Sequence, residues 1–191
     1  HEFLHSWFPM IMSNNESSEA WIDEGFATYG ENKVQAWMRG DSTGNPLAEV
    51  YASYLKLARS EFEEPMTTHA DHFNTKYGYV ESAYSKGAVF YEQLGYIIGA
   101  TNRDKMFLEL SKKYSFRHVG AAEIIRVAEG VSNMQLDWYR QYFINTTNTI
   151  NYGIDSLWQE GAKMKIRLKN TGRMPMPVDL MLTFKDGSRH L

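Results

Sequence analysis

HEFLHSWF, residues 1–8, sets two histidines four apart with a glutamate directly after the first. In a helix, residues four apart lie one turn above each other, so His1 and His5 would share a face and their imidazoles could converge on one ion. Glu2 would then sit beside them, placed to take a proton from a water that the ion has made more acidic. The same residues also describe an ordinary solvated helix face, and nothing within the octapeptide decides between the two.

The decision comes from farther along the chain. A catalytic zinc takes three protein ligands and keeps a fourth position for water. WIDEGFATYGE, residues 21–31, supplies a third ligand in Glu24, 19 residues after His5 and in an apolar setting unusual for a merely solvated carboxylate. Two antiparallel helices joined by the polar turn SNNESS, residues 13–18, would return Glu24 to the histidine pair. The chain has no cysteine, so a metal here is held by nitrogen and oxygen alone. On this reading His1, His5 and Glu24 bind one Zn2+ and Glu2 is the general base.

With 191 residues, 43% hydrophobic and 23% charged, the chain is long enough to bury a sizeable core. Its net charge is -3 and its basic residues form no stripe, which excludes a phosphate backbone as the expected partner. No run approaches the ~18 consecutive apolar residues of a membrane span. Localisation is not legible.

Helical periodicity is expected over about 1–12, 19–38, 46–58, 80–98, 102–113, 121–129 and 134–144, with a loop over 65–78. Ser17 or Ser18 is the expected cap of the second helix and Gly40 its stop. The third should bury a face that includes Val50, Tyr54, Leu55 and Ala58. Trp21, Phe26, Tyr29 and Trp37 are expected in the core. Past Asn145 the texture changes: NTTNTINYG reads as turns, while KMKIRLKN and VDLMLTFKDGS alternate as two strands. The expected architecture is therefore mainly α over residues 1–148, followed over 149–191 by the start of a small β-domain.

HExxH, eighteen residues, then a glutamate within WIDEGFATY resembles the zinc signature of the M1 family of metallo-aminopeptidases, the gluzincins that include aminopeptidase N and leukotriene A4 hydrolase. SWF after His5 is similar to the family's QWF, and Asp23 departs from the family's asparagine, adding a like charge beside Glu24. VESAYSKG resembles the family's YEKG segment, with Ser85 in place of the glutamate; the resemblance makes Tyr84 the donor that stabilises the oxyanion. It also implies that residues 1–148 are the helical half of a thermolysin-like catalytic domain. The implied reaction is hydrolysis of an N-terminal peptide bond, with a peptide bearing a free N-terminus as partner.

The family's GxMEN segment, which binds the substrate's α-amine, is absent from this stretch, as is the sheet that lines the other wall of the cleft. The chain thus reads as a piece that begins at the zinc motif, inactive by itself, whose partner is the N-terminal half of the same protein. Its first turn, without a capping residue, should leave His1 and Glu2 displaced from helical geometry. An endopeptidase with the same zinc site, or a non-catalytic peptide-binding or scaffold member, are the alternatives. His69, Asp71 and His72 read as solvated loop residues, Asn15 and Asn145 fall in glycosylation sequons, and Lys86 reads as a lysine snorkelling over its helix.

Overall fold

Pro9 sets the course of the first dozen residues. A residue before proline is pushed out of the α region, and Phe8 is extended at φ −119°, ψ 123°. The regular helix expected over 1–12 is therefore not formed. His1–Phe3 is a turn, Leu4–Ser6 a single 3-10 turn, and Trp7–Ile11 a π-type turn broken at Phe8. The chain then enters a two-residue strand, β1 (Met12–Ser13).

The computed structural model describes residues 1–41 and 43–191, which divide into two units, His1–Thr147 and Asn148–Leu191. In the first, a short α1 (Glu16–Glu19) precedes α2 (Trp21–Met38), so the expected second helix is two, and Asn15 rather than a serine stands before the first of them. Gly40, at φ +67°, follows the end of α2. Buried Trp21, Ile22, Gly25, Ala27 and Tyr29 crowd its first half. Its second half outruns its packing partners, and Trp37, expected in the core, is 79% exposed.

Helix α3 (Ala48–Ala58) buries Val50, Tyr54 and Leu57 but turns Leu55 outward. After a loop, α4 (Lys76–Val80) starts at Thr75, whose hydroxyl accepts the Gly78 N–H at 3.0 Å. The helix does not stop there. It widens into a π-helix over Glu81–Lys86 and continues as α5 (Gly87–Ile98), the spine of the core. Phe90 meets Trp21 edge-on and stacks on Tyr139, with ring centroids 4.7 and 5.2 Å away. The fully buried hydroxyls of Tyr91 and Tyr139 donate to the carbonyls of Ile22 and Phe90 at 3.0 and 2.9 Å, so neither ring costs an unsatisfied donor.

Helix α6 (Ala100–Tyr114) leads to β2 (Arg117–His118), which pairs in parallel with β1; a pair this short leaves no trace in periodicity. Helix α7 (Ala121–Ser132) and α8 (Asp137–Tyr139), prolonged as a π-type turn through Arg140–Ile144, close the unit. No described helix is long and apolar enough to cross a membrane.

The second unit is built on an antiparallel hairpin of β3 (Tyr152–Glu160) and β4 (Lys163–Asn170), from Tyr152 opposite Asn170 to Glu160 opposite Lys163. Strand β4 coincides with KMKIRLKN. Strand β3 begins inside NTTNTINYG, expected as turns, and a bulge between Ile154 and Ser156 breaks its alternation farther along. The alternating stretch VDLMLTF contributes only β5 (Leu182–Thr183), paired with β6 (Arg189–His190).

Candidate metal centre

Three donors meet at one end of α2. The Glu24 Oε2 atom lies 3.1 Å from His1 Nε2 and 3.4 Å from His5 Nε2. Two donors held at ~2.0–2.1 Å in a tetrahedral arrangement stand about 3.3 Å apart, so these separations suit one zinc-sized ion. All three ligand atoms lie within 4.8 Å of one another, and among the described residues this is the one group of three or more His, Asp or Glu side chains so gathered.

The far nitrogen of each imidazole is occupied in a way that turns Nε2 inward. His5 Nδ1 is 2.7 Å from the Phe8 carbonyl. A carbonyl only accepts, so Nδ1 carries the hydrogen, which leaves Nε2 as the ring nitrogen turned toward a metal. The Phe8 carbonyl is available because the residue before Pro9 is extended. His1 Nδ1 is 3.2 Å from Glu31 Oε2, and a carboxylate likewise accepts. The rings of His1 and His5 meet edge-on, 4.9 Å between centroids at 77°. Thus the broken first helix still brings the two histidines together. Glu2, in the opening turn, is exposed and stands outside this cluster.

Tyr84 completes the group. Its ring stacks on His1, 5.6 Å between centroids at 20°, and the Glu24 carboxylate is its strongest charged influence. Burial first, then the neighbouring Glu24 carboxylate, pushes the phenol well above its usual range, so it is a hydrogen-bond donor at neutral pH. Asp23, the like charge beside Glu24, is held on another face of the helix. It is 3% exposed and accepts from Asn14 Nδ2 at 2.8 Å. Desolvation raises its pKa, partly offset by Asn14, with the Glu24 charge a lesser cause.

What brings Glu24 and Tyr84 together is a contact between backbones. A Cβ on Gly25 would lie 2.6 Å from the Gly87 carbonyl carbon, and one on Gly87 would lie 2.9 Å from the Gly25 Cα. Only glycine at both positions lets α2 and the start of α5 cross this closely. Each glycine adjoins a motif residue, yet the motifs themselves assign neither this contact nor the role of Glu31. Lys86, expected to snorkel over its helix, is instead 1% exposed and paired with Glu63 at 2.7 Å. His69 and His72 lie close, 5.1 Å between centroids, but His69 Nδ1 accepts the Asp71 backbone N–H and the loop gathers no ligand set.

Residues 1–143 match the model of the peptidase family M1 domain. Human aminopeptidase B is 26% identical over 157 residues, covering 75% of this chain and 21% of that protein. Aminopeptidase N of Streptomyces lividans is 22% identical over 152 residues, covering 76% of this chain and 18% of that one. The chain thus spans about a fifth of the length of these relatives. The M1 zinc metallopeptidase of Deinococcus radiodurans superposes with a TM-score of 0.63 at 20% identity, over 78% of this chain and 32% of that one, which establishes the likeness of fold. With the family model matching three quarters of its length, from His1 through the last helical turn, the chain belongs to the M1 family of peptidases.

Proposed function

We propose that this chain carries the zinc-binding and oxyanion-stabilising half of an aminopeptidase, a hydrolase that removes the N-terminal residue of a peptide. The observation that carries the reading is the convergence of His1 Nε2, His5 Nε2 and Glu24 Oε2 beneath the phenol of Tyr84. The names of its relatives, aminopeptidases B and N, support the exopeptidase form over an endopeptidase.

His1, His5 and Glu24 would hold the zinc, with Glu31 and the Phe8 carbonyl fixing the two imidazoles through Nδ1. When bound, zinc supplies Lewis acidity that makes water more acidic and polarises the scissile carbonyl. Glu2 would accept the proton of the attacking water and pass it to the leaving amine. Tyr84, kept protonated by its surroundings, would donate a hydrogen bond to the carbonyl oxygen as it gains charge, a contribution of roughly 3 to 4 kcal/mol to the barrier.

The test is made on the full-length protein, with an unblocked peptide and its N-acetylated twin. The expected outcome is one zinc per chain and cleavage of the unblocked peptide only. Cleavage of both would turn the reading to an endopeptidase, and tight zinc binding without cleavage of either would turn it to a binding protein. Tyr84→Phe should lower kcat by about 100- to 1,000-fold while leaving zinc in place.

A further inference from the structure

Lys86 follows Tyr84 by two residues and is buried as deeply as the core aromatics, at 1% exposure. Its Nζ donates to Glu63 Oε1 at 2.7 Å and to the Thr146 carbonyl at 3.3 Å, and lies 5.7 Å from the centre of the Phe143 ring. The Glu63 side chain is itself only 4% exposed. Removing both charges from water is costly, and apolar pairs of similar volume often serve a fold as well or better. Stability therefore gives a weak account of why an ion pair stands here. Its location suggests a stronger one.

The helix that carries Tyr84 is a π-helix over Glu81–Lys86. A π-turn holds an extra residue, so its register, and with it the direction of each side chain, differs from that of the α-helices on either side. The segment 60–64 touches the helix just before this stretch and again at its end. The Phe62 carbonyl lies against Gly78, where a Cβ would be only 2.5 Å from it. Glu63 reaches Lys86 at the last π-helical position. The segment is itself pinned, since the Glu64 carboxylate accepts the Asn74 backbone N–H at 2.9 Å and the Phe62 N–H is received by Ser60 Oγ at 3.2 Å. Tyr84 sits between the two points of contact. Neither Lys86 nor Glu63 belongs to the His1, His5 and Glu24 donor set.

We propose that the buried Glu63–Lys86 pair is a positioning device for Tyr84: it locks the wide helical turn that aims the phenol at Glu24 and the histidine pair. The inference rests on the reading of Tyr84 as the oxyanion donor, and it assigns the lysine of YSKG a role at a distance from the reacting atoms.

The experiment compares four forms of the full-length protein: wild type, the volume-conserving swap Glu63→Leu/Lys86→Met, Tyr84→Phe, and the combination. The swap removes the anchor without leaving an unpaired buried charge, so the fold has no charge left to satisfy. The expected result is one zinc per chain in all four forms, kcat at least tenfold lower in the swap with KM within twofold, and less than twofold further loss when the swap is added to Tyr84→Phe. Amide hydrogen exchange over residues 81–86 should quicken in the swap. An unchanged kcat, unchanged exchange over those amides, or an equal fold-loss in both backgrounds would overturn the proposal. Lys86→Arg, which keeps the charge, should recover most of the lost kcat, and failure to do so counts against it. If Tyr84→Phe alone leaves kcat untouched, the reading of Tyr84 falls first and takes this inference with it. If Tyr84→Phe is slow and the swap is not, only the inference falls.

Discussion

His1 and His5 arrive at the centre on a segment that is barely regular, whereas Glu24 and Tyr84 arrive on helices whose backbones touch. The first side is secured by side chains. Leu4 packs on Gly30, Glu31 takes His1 and the Phe8 carbonyl takes His5, while Phe3 remains 77% exposed. The second side is secured by a glycine-on-glycine crossing, which cannot adjust without moving a helix, and by a buried ion pair. The contrast teaches that one ligand, Glu24, is held in place by the rigid frame and the other two by a few replaceable hydrogen bonds. Damage to the two sides should therefore read out differently, one in folding and the other in metal affinity.

The largest effect is expected at the crossing. In Gly25→Ala the new methyl meets backbone rather than a flexible side chain, and backbone atoms yield only by displacing α2 from α5. Overpacking of this kind typically costs about 1–3 kcal/mol, and this site belongs at the upper end. Chemical denaturation should show the loss, and zinc affinity should fall with it because Glu24 is the neighbouring residue. A variant as stable as wild type would mean that the crossing is loose, and the comparison with the histidine segment would fail.

On the other side, Glu31→Gln keeps the shape of the side chain but removes its charge as acceptor for the His1 Nδ1–H. Groups that orient a metal-bound histidine in this way commonly contribute 10–100-fold in affinity. The expected result is a loss of that order in a zinc titration against a competing chelator, with the denaturation midpoint of the metal-free protein unchanged. A shifted midpoint with unaltered zinc affinity would reverse the roles assigned to the two sides.

How far this division could be read from the sequence follows from the range of each contact. HEFLH and the glutamate of WIDEGF were legible because the chemistry fixes their residue types and spacing. Glu31 was legible in principle: it lies seven residues past Glu24, two turns along the same helix face, and only its weaker claim to a role hid it. The irregular start is half legible, since Pro9 argues against a helix through Phe8 while the histidine spacing by itself suggests one. The Gly25–Gly87 contact and the Glu63–Lys86 pair join residues 62 and 23 positions apart, and no local pattern reports on either. For the same reason the extra residue in the π-helix over Glu81–Lys86 passed as ordinary helix, and the exposure of Trp37 passed as core.

The smallest effect tests whether crowding, rather than glycine as such, distinguishes the crossing. Gly130 also lies inside a helix, α7, yet it is exposed and a Cβ there would meet nothing within 4 Å. Its φ is not in the left-handed region, so alanine adopts the same backbone without strain. There the intrinsic cost of glycine in a helix is unopposed, and Gly130→Ala should stabilise the protein by about 0.5–1 kcal/mol with zinc affinity unchanged. The same substitution is thus expected to carry opposite signs at Gly25 and Gly130. If both destabilise, the loss at Gly25 would reflect a general intolerance of this fold to added methyl groups and would say nothing about how α2 and α5 hold the centre. Opposite signs would tie it to the crossing of the two backbones at Gly25 and Gly87.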